Sequence, residues 1–150
     1  MEKINKILFP TDFSENSNYA FDYALVLAKK FGARLYILHV IHELIDTTGY
    51  YIPNISLDQL QSDLVKGAEE MTGKFIREKM GDFKDYETIN TTGLPHIEIL
   101  NMAKEKEMDM IVMGTHGRTG IDRVLFGSTA EKVVKKASCP VLTVRHPEKQ

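Results

Sequence analysis

The segment KILFPTDFSENS, residues 6–17, indicates which class of fold the chain adopts. Its apolar residues 7–9 stop at Pro10, which is typical of a short strand buried on both faces of a sheet. The polar residues DFSENS include side chains that cap helices, so a helix is expected directly after the strand. A strand, a turn and a helix in this order predict an α/β fold.

The same alternation continues toward the middle of the chain. Alanines recur every four positions between residues 17 and 31, which predicts an amphipathic helix that ends at Gly32. Residues 34–41, RLYILHVI, predict a second interior strand. Residues 42–56 keep no period and predict a mobile excursion from the fold.

A long helix is predicted next, with Gly67 and Gly73 as its weak points. Its periodic apolar side chains are expected to pack in the core: Leu57, Leu60, Leu64, Ala68, Met71 and Phe75. The β-prone residues 86–92 then predict a third strand, and Pro95 opens a helix that runs to about residue 106. This helix is expected to turn three side chains inward: Ile97, Leu100 and Ala103.

Residues 108–114, MDMIVMG, predict the fourth strand, and residues 140–144, PVLTV, predict the last. The helix between them, residues 128–137, is expected to carry its apolar side chains on one face: Ala130, Val133, Val134 and Ala137. The order βαβαβαβαβ predicts one domain over residues 1–150. Its fold class is α/β, with a doubly wound, Rossmann-like, five-stranded parallel sheet of order 3-2-1-4-5 and helices on both faces.

In that strand order the first and fourth strands are neighbours, and ligands bind at the crevice beyond their carboxyl ends. Pro10 and Asp12 leave the first strand, and the loop GTHGRTGIDRVLFGST, residues 114–129, leaves the fourth. These two segments are therefore expected to flank one crevice. The glycines Gly114 and Gly117 permit backbone conformations with positive φ and are expected to let main-chain N–H groups approach a ligand without a Cβ in the way.

The end of this loop has the chemistry of a phosphate site. Gly127, Ser128 and Thr129 would bring N–H groups and hydroxyls to the positive end of the next helix. Asp12 on the opposite wall would accept hydrogen bonds from ribose hydroxyls. Arg118 would neutralise phosphate charge and is a better candidate than Arg123, because it lies nearer the glycines.

Each of these residues also has an ordinary structural explanation. Asp12 would suit a helix cap or a turn, and Gly127 with its two neighbours would suit a helix start. His116 is expected to make a local hydrogen bond rather than to act as an acid or base. The arginines would suit a solvated surface. Only the combination of these residues favours a nucleotide.

The composition narrows the classes of partner. The 150 residues are 43% apolar and carry a net charge of −2, which disfavours a nucleic-acid partner and a polybasic membrane binder. No apolar stretch reaches the length of a membrane span. The single cysteine, Cys139, cannot form an internal disulfide. A cytoplasmic location is therefore predicted.

The sequence resembles the universal stress protein family, in particular its nucleotide-binding branch, which carries the pattern G-x2-G-x9-G-[ST]. Gly114, Gly117, Gly127 and Ser128 match every fixed position of that pattern. The likeness extends through KILFPTDFS, LHVI, IVMGTHGRTG and PVLTVR, and so covers the chain from end to end.

The resemblance implies an ATP site, in some members with a divalent cation such as Mg²⁺ or Mn²⁺. Asp12 would contact the ribose, Pro10 and Val40 would border the adenine with Val40 using main-chain groups, and Met113 would pack nearby. The phosphates would be held by Gly114, Gly117, Gly127, Ser128 and Thr129. The resemblance also implies a homodimer through the last strand, which begins at Val141 and continues to Arg145.

The function implied is a regulatory or sensing ATP-binding module in a stress response. No lysine stands in the phosphate-loop pattern G-x4-G-K-[ST], and no catalytic residue is assigned, so binding is favoured over turnover. A slow ATP hydrolase or phosphotransfer enzyme is the alternative. A nucleotide-free dimeric scaffold is another, since some members lack the glycine pattern.

Two unrelated nucleotide or phosphate folds are disfavoured. A phosphoacceptor receiver domain needs an aspartate at the end of strand three and a lysine after strand five, where this chain has Asn90-Thr91-Thr92-Gly93 and Arg145. A flavodoxin-like electron carrier needs a phosphate loop after strand one, and TDFSENS lacks its glycines.

Overall fold

The computed structural model describes residues 3–43, 56–117 and 125–147. Its strands form one sheet in the order β3-β2-β1-β4-β5, and every neighbouring pair is parallel. This confirms the predicted α/β class, the Rossmann-like layout and the strand order. The elements, in chain order, are β1 (Lys6–Pro10), α1 (Glu15–Phe31), β2 (Arg34–His42), α2 (Leu57–Lys79), β3 (Tyr86–Gly93), α3 (Pro95–Glu105), β4 (Met110–Gly114), α4 (Ser128–Lys136) and β5 (Val141–Val144).

Helices cover both faces of the sheet because successive strand side chains point to opposite sides. On one face, Phe9 of β1 packs edge-to-face on Phe21 of α1 and stacks on Phe75 of α2. On the other face, Leu8 packs in a second cluster with Val133 of α4. Phe9 and Leu8 are both fully buried, as expected for a central strand.

The helix α1 begins two residues earlier than predicted. Ser14 is its N-cap, and the Ser14 side chain accepts a hydrogen bond from the N–H of Ser17 at 3.2 Å. At the other end Gly32 takes the left-handed conformation, with φ of 64°, and ends the helix as predicted.

The predicted core stripe of α2 is wrong for four of its six residues. Only Ala68 and Phe75 are buried, and the buried residue Thr72 between them was not predicted. The burial in α2 thus starts at Ala68, so only the second half of the helix lies on the sheet. Periodicity marks an apolar face, but it does not reveal how far the sheet extends beneath it. The exposed residues are Leu57, Leu60, Leu64 and Met71.

Two inward positions on the opposite face also need correction. Ile97 of α3 is exposed, and Ile99 takes its place in the core. Val134 of α4 is exposed, whereas its neighbour Val133 is buried. A helix advances by about 100° per residue, so a shift of one or two positions moves a side chain off the buried face.

The excursion predicted for residues 42–56 falls almost entirely outside the described residues. Of its two ends, His42 is the last residue of β2 and Ser56 is the N-cap of α2. Gly67 and Gly73 do not interrupt α2. Within the described ranges, no helix combines the length and apolar character needed to cross a bilayer.

Candidate functional site

The ends of β1 and β4 open on the same edge of the sheet. The two strands are parallel neighbours, with Ile7 opposite Met110 and Leu8 opposite Ile111. A parallel pair places both carboxyl ends together, so the segments that follow Pro10 and Gly114 share one crevice. This is the topological switch point of the sheet, because the connections from β1 and β4 lead to opposite sides of it.

One wall of the crevice is formed by the residues that follow β1, which make a tight turn held by internal hydrogen bonds. The Thr11 hydroxyl oxygen accepts from the Phe13 N–H at 2.9 Å and from the Ser17 hydroxyl at 2.7 Å. Oδ1 of Asp12 accepts from the Ser14 N–H at 3.0 Å. One carboxylate oxygen of Asp12 therefore stabilises the turn, which is one of the two structural roles that the sequence suggested for this residue. The other role, that of helix cap, belongs to Ser14.

The wall that follows β4 lies directly against this turn. A Cβ built on Gly117 would collide with Oδ2 of Asp12 and would lie 3.5 Å from its Cγ. A Cβ on Gly114 would lie 3.2 Å from the carbonyl oxygen of Asn16, in the first turn of α1. Glycine is needed at both positions because the backbone comes so close to its neighbours.

Gly114 and Gly117 do not use the positive φ that glycine permits. Among the described glycines, positive φ occurs at Gly32, Gly81 and Gly93. Gly127 has a φ of −69°, which any residue adopts. Gly114, Gly117 and Gly127 therefore provide space rather than an unusual backbone conformation.

The N-terminus of α4 meets the glycine loop. The N–H of Gly127 donates to the carbonyl oxygen of Thr115 at 2.7 Å, and Thr115 is itself buried. Gly127 is the N-cap and gives α4 no side-chain acceptor, in contrast to Ser14 of α1. The first N–H groups of α4 and the positive end of its dipole are thus available for an anion. Ser128 and Thr129 occupy the first two helical positions.

A carboxylate in the same turn is drawn toward the other end of α4. Nζ of Lys135 donates to Oε1 of Glu131 at 2.8 Å. This hydrogen bond, together with the positive charge of Lys135, lowers the pKa of Glu131. The bond runs from position i to i+4 and directs the Glu131 charge away from the helix N-terminus.

The residues expected near an adenine belong to the sheet. Pro10 is buried and lies opposite Leu38 of β2. The side chains of Val40 and Met113 are buried in the same cluster, on the α3 and α4 side of the sheet. Their side chains therefore serve the core. The main chain of Val40 pairs with Thr91 of the edge strand β3.

Several residues of the crevice were not predicted from the sequence. Nδ1 of His39 lies 2.8 Å from the carbonyl oxygen of Thr11. The Thr115 N–H donates to the carbonyl oxygen of Val144, which ties the loop to the end of β5. Asn16 is buried, and its Oδ1 makes no hydrogen bond with any residue that the structure describes. Only the polar character of Asn16 in a buried first turn could have marked it in advance.

The other candidate residues predicted from the glycine loop are His116 and two arginines. Nδ1 of His116 lies 3.0 Å from the Thr115 hydroxyl, which is the local hydrogen bond expected for it. Arg118 and Arg123 lie outside the described residues. In the parts of the chain that the structure describes, no cluster of three or more His, Cys, Asp or Glu side chains is suited to a metal ion.

The fold and the crevice define a doubly wound α/β protein with a ligand crevice between an acidic turn and a glycine loop. Residues 3–145 match the model of the universal stress protein family. The chain is 37% identical over 147 residues to the universal stress protein MJ0531 of Methanocaldococcus jannaschii, covering 97% of this chain and 84% of the relative. The chain therefore belongs to the universal stress protein family.

Solved structures of the family share the fold. Universal stress protein UspA from Lactobacillus plantarum superposes with a TM-score of 0.80 and 28% identity, covering 97% of this chain and all of that one. A universal stress protein from Archaeoglobus fulgidus in complex with dAMP superposes with a TM-score of 0.64 at 19% identity, covering 95% of this chain and 98% of that one. The second likeness concerns the fold alone.

Proposed function

We propose that this protein binds ATP in the crevice between the Asp12 turn and the glycine loop, and acts as a regulatory or sensing module in a stress response. The observation that carries the proposal is the contact of Asp12 with Gly117, two residues far apart in the sequence. It supports one site with an acidic wall and a wall of glycine and helix N–H groups. Such walls complement the ribose and the phosphates of a nucleotide.

Each part of the nucleotide has its own set of partners in this proposal. Asp12 accepts hydrogen bonds from the ribose hydroxyls, while Pro10, Met113 and the main chain of Val40 border the adenine. Arg118 neutralises phosphate charge, and Mg²⁺ or Mn²⁺ accompanies the phosphates. The phosphates are held by Gly114, Gly117, Gly127, Ser128 and Thr129. The dAMP complex of the Archaeoglobus fulgidus protein supports the capacity of this fold to hold an adenine nucleotide.

Binding, rather than turnover, is the favoured activity. His116 bonds its neighbour Thr115, and no residue is assigned as a base with an orienting partner. A slow ATP hydrolase or phosphotransfer enzyme is the alternative that continued formation of ADP from added ATP by the purified protein would support. A nucleotide-free dimeric scaffold is the alternative that would be supported if the protein released no nucleotide and bound none in solution.

A homodimer through β5 completes the proposal. β5 is an edge strand of the sheet, and Leu142 on it is 37% exposed. Pairing with a second copy would satisfy its open backbone groups. Because Thr115 bonds the end of β5, ligand binding at the loop and pairing at the edge are physically connected. The cytoplasm is the proposed compartment, from the single cysteine.

The test is to identify what the protein carries. Freshly purified protein is heat-denatured, and the released small molecules are analysed by mass spectrometry. Stripped protein is then titrated with ATP, ADP, AMP and adenosine by calorimetry. We expect ATP or ADP to be released and to rebind. No released nucleotide, together with no heat of binding for any of the four, would reject the proposal.

A further inference from the structure

His39 holds the acidic turn from the neighbouring strand. Its Nδ1 lies 2.8 Å from the carbonyl oxygen of Thr11, and a carbonyl oxygen only accepts hydrogen bonds. Nδ1 therefore carries the hydrogen and donates it. Thr11 is buried, and its N–H in turn donates to the carbonyl oxygen of Leu38, next to His39 in β2. Both main-chain polar groups of Thr11, its N–H and its carbonyl oxygen, are thus hydrogen-bonded to β2 immediately before Asp12.

The same histidine supports an unfavourable backbone conformation. Phe13 has a φ of 62°, in the left-handed region that residues with large side chains rarely adopt. Its ring lies against His39, with ring centroids 4.6 Å apart, and against Phe75 at 5.8 Å. These contacts offset the conformational cost of Phe13. Asp12 lies between Thr11 and Phe13, so both of its flanking residues contact the His39 side chain.

We propose that His39 is a positioning residue for the carboxylate of Asp12. His39 fixes the Thr11 carbonyl and packs on Phe13, and the turn so held presents Asp12 toward Gly117 and the crevice. The inference rests on the proposed function, because the ligand that benefits is the nucleotide held by Asp12. His39 acts without touching that ligand. A turn already in its binding conformation loses less entropy when the nucleotide binds.

Calorimetry with ADP tests this role. His39→Leu removes the hydrogen-bond donor and keeps an apolar side chain of moderate size. His39→Asn keeps an N–H donor near the position of Nδ1. We expect His39→Leu to weaken ADP binding about tenfold, as for the loss of one hydrogen bond, and His39→Asn to restore most of the affinity. In an Asp12→Ala background, His39→Leu should cause little further loss, because the two residues act through one path.

Two results would overturn the inference. One is an unchanged ADP affinity in His39→Leu, and the other is a full tenfold loss that persists in the Asp12→Ala background. Amide hydrogen exchange at Phe13 and Ser14 gives a readout without nucleotide, and it should be faster in His39→Leu than in His39→Asn. If the wild-type protein binds no ADP, the proposed function fails, and equal exchange rates in the two variants would then separately reject the role of His39 in the turn.

Discussion

Oδ2 of Asp12 occupies the space in which a side chain on Gly117 would begin. The two residues lie in segments that follow β1 and β4. In the sequence, the elements α1, β2, α2, β3 and α3 separate β1 from β4. Their contact exists because the parallel sheet makes the two strands neighbours. At Gly117 the two walls of the crevice therefore touch each other.

Gly117→Ala should destabilise the fold by roughly 1–3 kcal/mol, because the new Cβ displaces the Asp12 carboxylate. In an Asp12→Ala background the same substitution should cost much less, since the carboxylate is gone. Urea unfolding of the two single variants and the double variant measures this coupling. Additive losses would show that the two loops do not make this contact in solution. Gly127→Ala is the matched control, because its Cβ would make only ordinary contacts, 3.4 Å or more from its neighbours.

Asp12→Ala should weaken ATP and ADP alike, by about 1–3 kcal/mol if a charged hydrogen bond to the ribose is lost. The loss of affinity should not depend on the number of phosphates in the nucleotide, because the Asp12 carboxylate is assigned to the ribose. Calorimetric titration with both nucleotides measures the two losses. Asp82→Ala is the control, since the Asp82 side chain is 96% exposed and its Oδ1 lies 3.9 Å from Nζ of Lys29. A loss confined to ATP would contradict the ribose role.

Gly127→Val should block ATP binding while the fold remains intact. A Cβ on Gly127 faces the loop, 3.4 Å from the Thr115 carbonyl oxygen and 3.5 Å from the His116 Cα, and the methyl groups of valine would narrow this gap. We expect ATP affinity to fall by at least about tenfold, which corresponds to 1.4 kcal/mol. Unchanged affinity in a variant with a native circular dichroism spectrum would count against the phosphate assignment.

Leu142→Asp should convert the proposed dimer into a monomer, because a charge on the edge strand disfavours strand pairing. Sedimentation velocity of the wild type and the variant at the same concentration measures the change. Leu64→Asp is the matched control, since Leu64 is 43% exposed on α2, away from β5. A wild-type protein that sediments as a monomer at all concentrations would reject the dimer.

Gly67→Ala should raise the free energy of unfolding by about 0.5–1 kcal/mol, because alanine favours the helix and glycine does not. Gly67 lies inside α2, and a Cβ there would meet no atom within 4 Å. Thermal and urea unfolding measure the gain, and ADP affinity should stay at the wild-type value. A destabilised variant would mean that the middle of α2 is not helical in solution.

The helices α1 and α2 differ in how much of their packing can be predicted from local sequence. The buried face and the end of α1 could be predicted, because its alanines recur every four residues and Gly32 is a local stop signal. The burial of α2 could not be predicted, because Leu60 and Ala68 belong to the same periodic stripe and only one of them meets the sheet. Burial depends on what lies opposite a residue, and that partner is distant in sequence.

The candidate site shows the same division. Gly114 and Gly117 alone indicate a loop that approaches its neighbours closely. The reason for each glycine is a residue distant in sequence: Asn16 in the first turn of α1 lies against Gly114, and Asp12 in the turn after β1 lies against Gly117. His39 gave no sign of its role, because its hydrogen bond to Thr11 crosses between two strands.

The sequence by itself determined the alternation of strands and helices, because this follows from local periodicity and capping residues. It predicted a strand order that the rules of right-handed crossovers allow, but these rules allow other orders as well. Only the tertiary structure decided that strand order, how much of α2 is buried, why Gly114 and Gly117 are needed, and that His39 contacts the turn on both sides of Asp12. These properties arise from contacts between segments far apart in the chain, and no local pattern records the distance between two such segments.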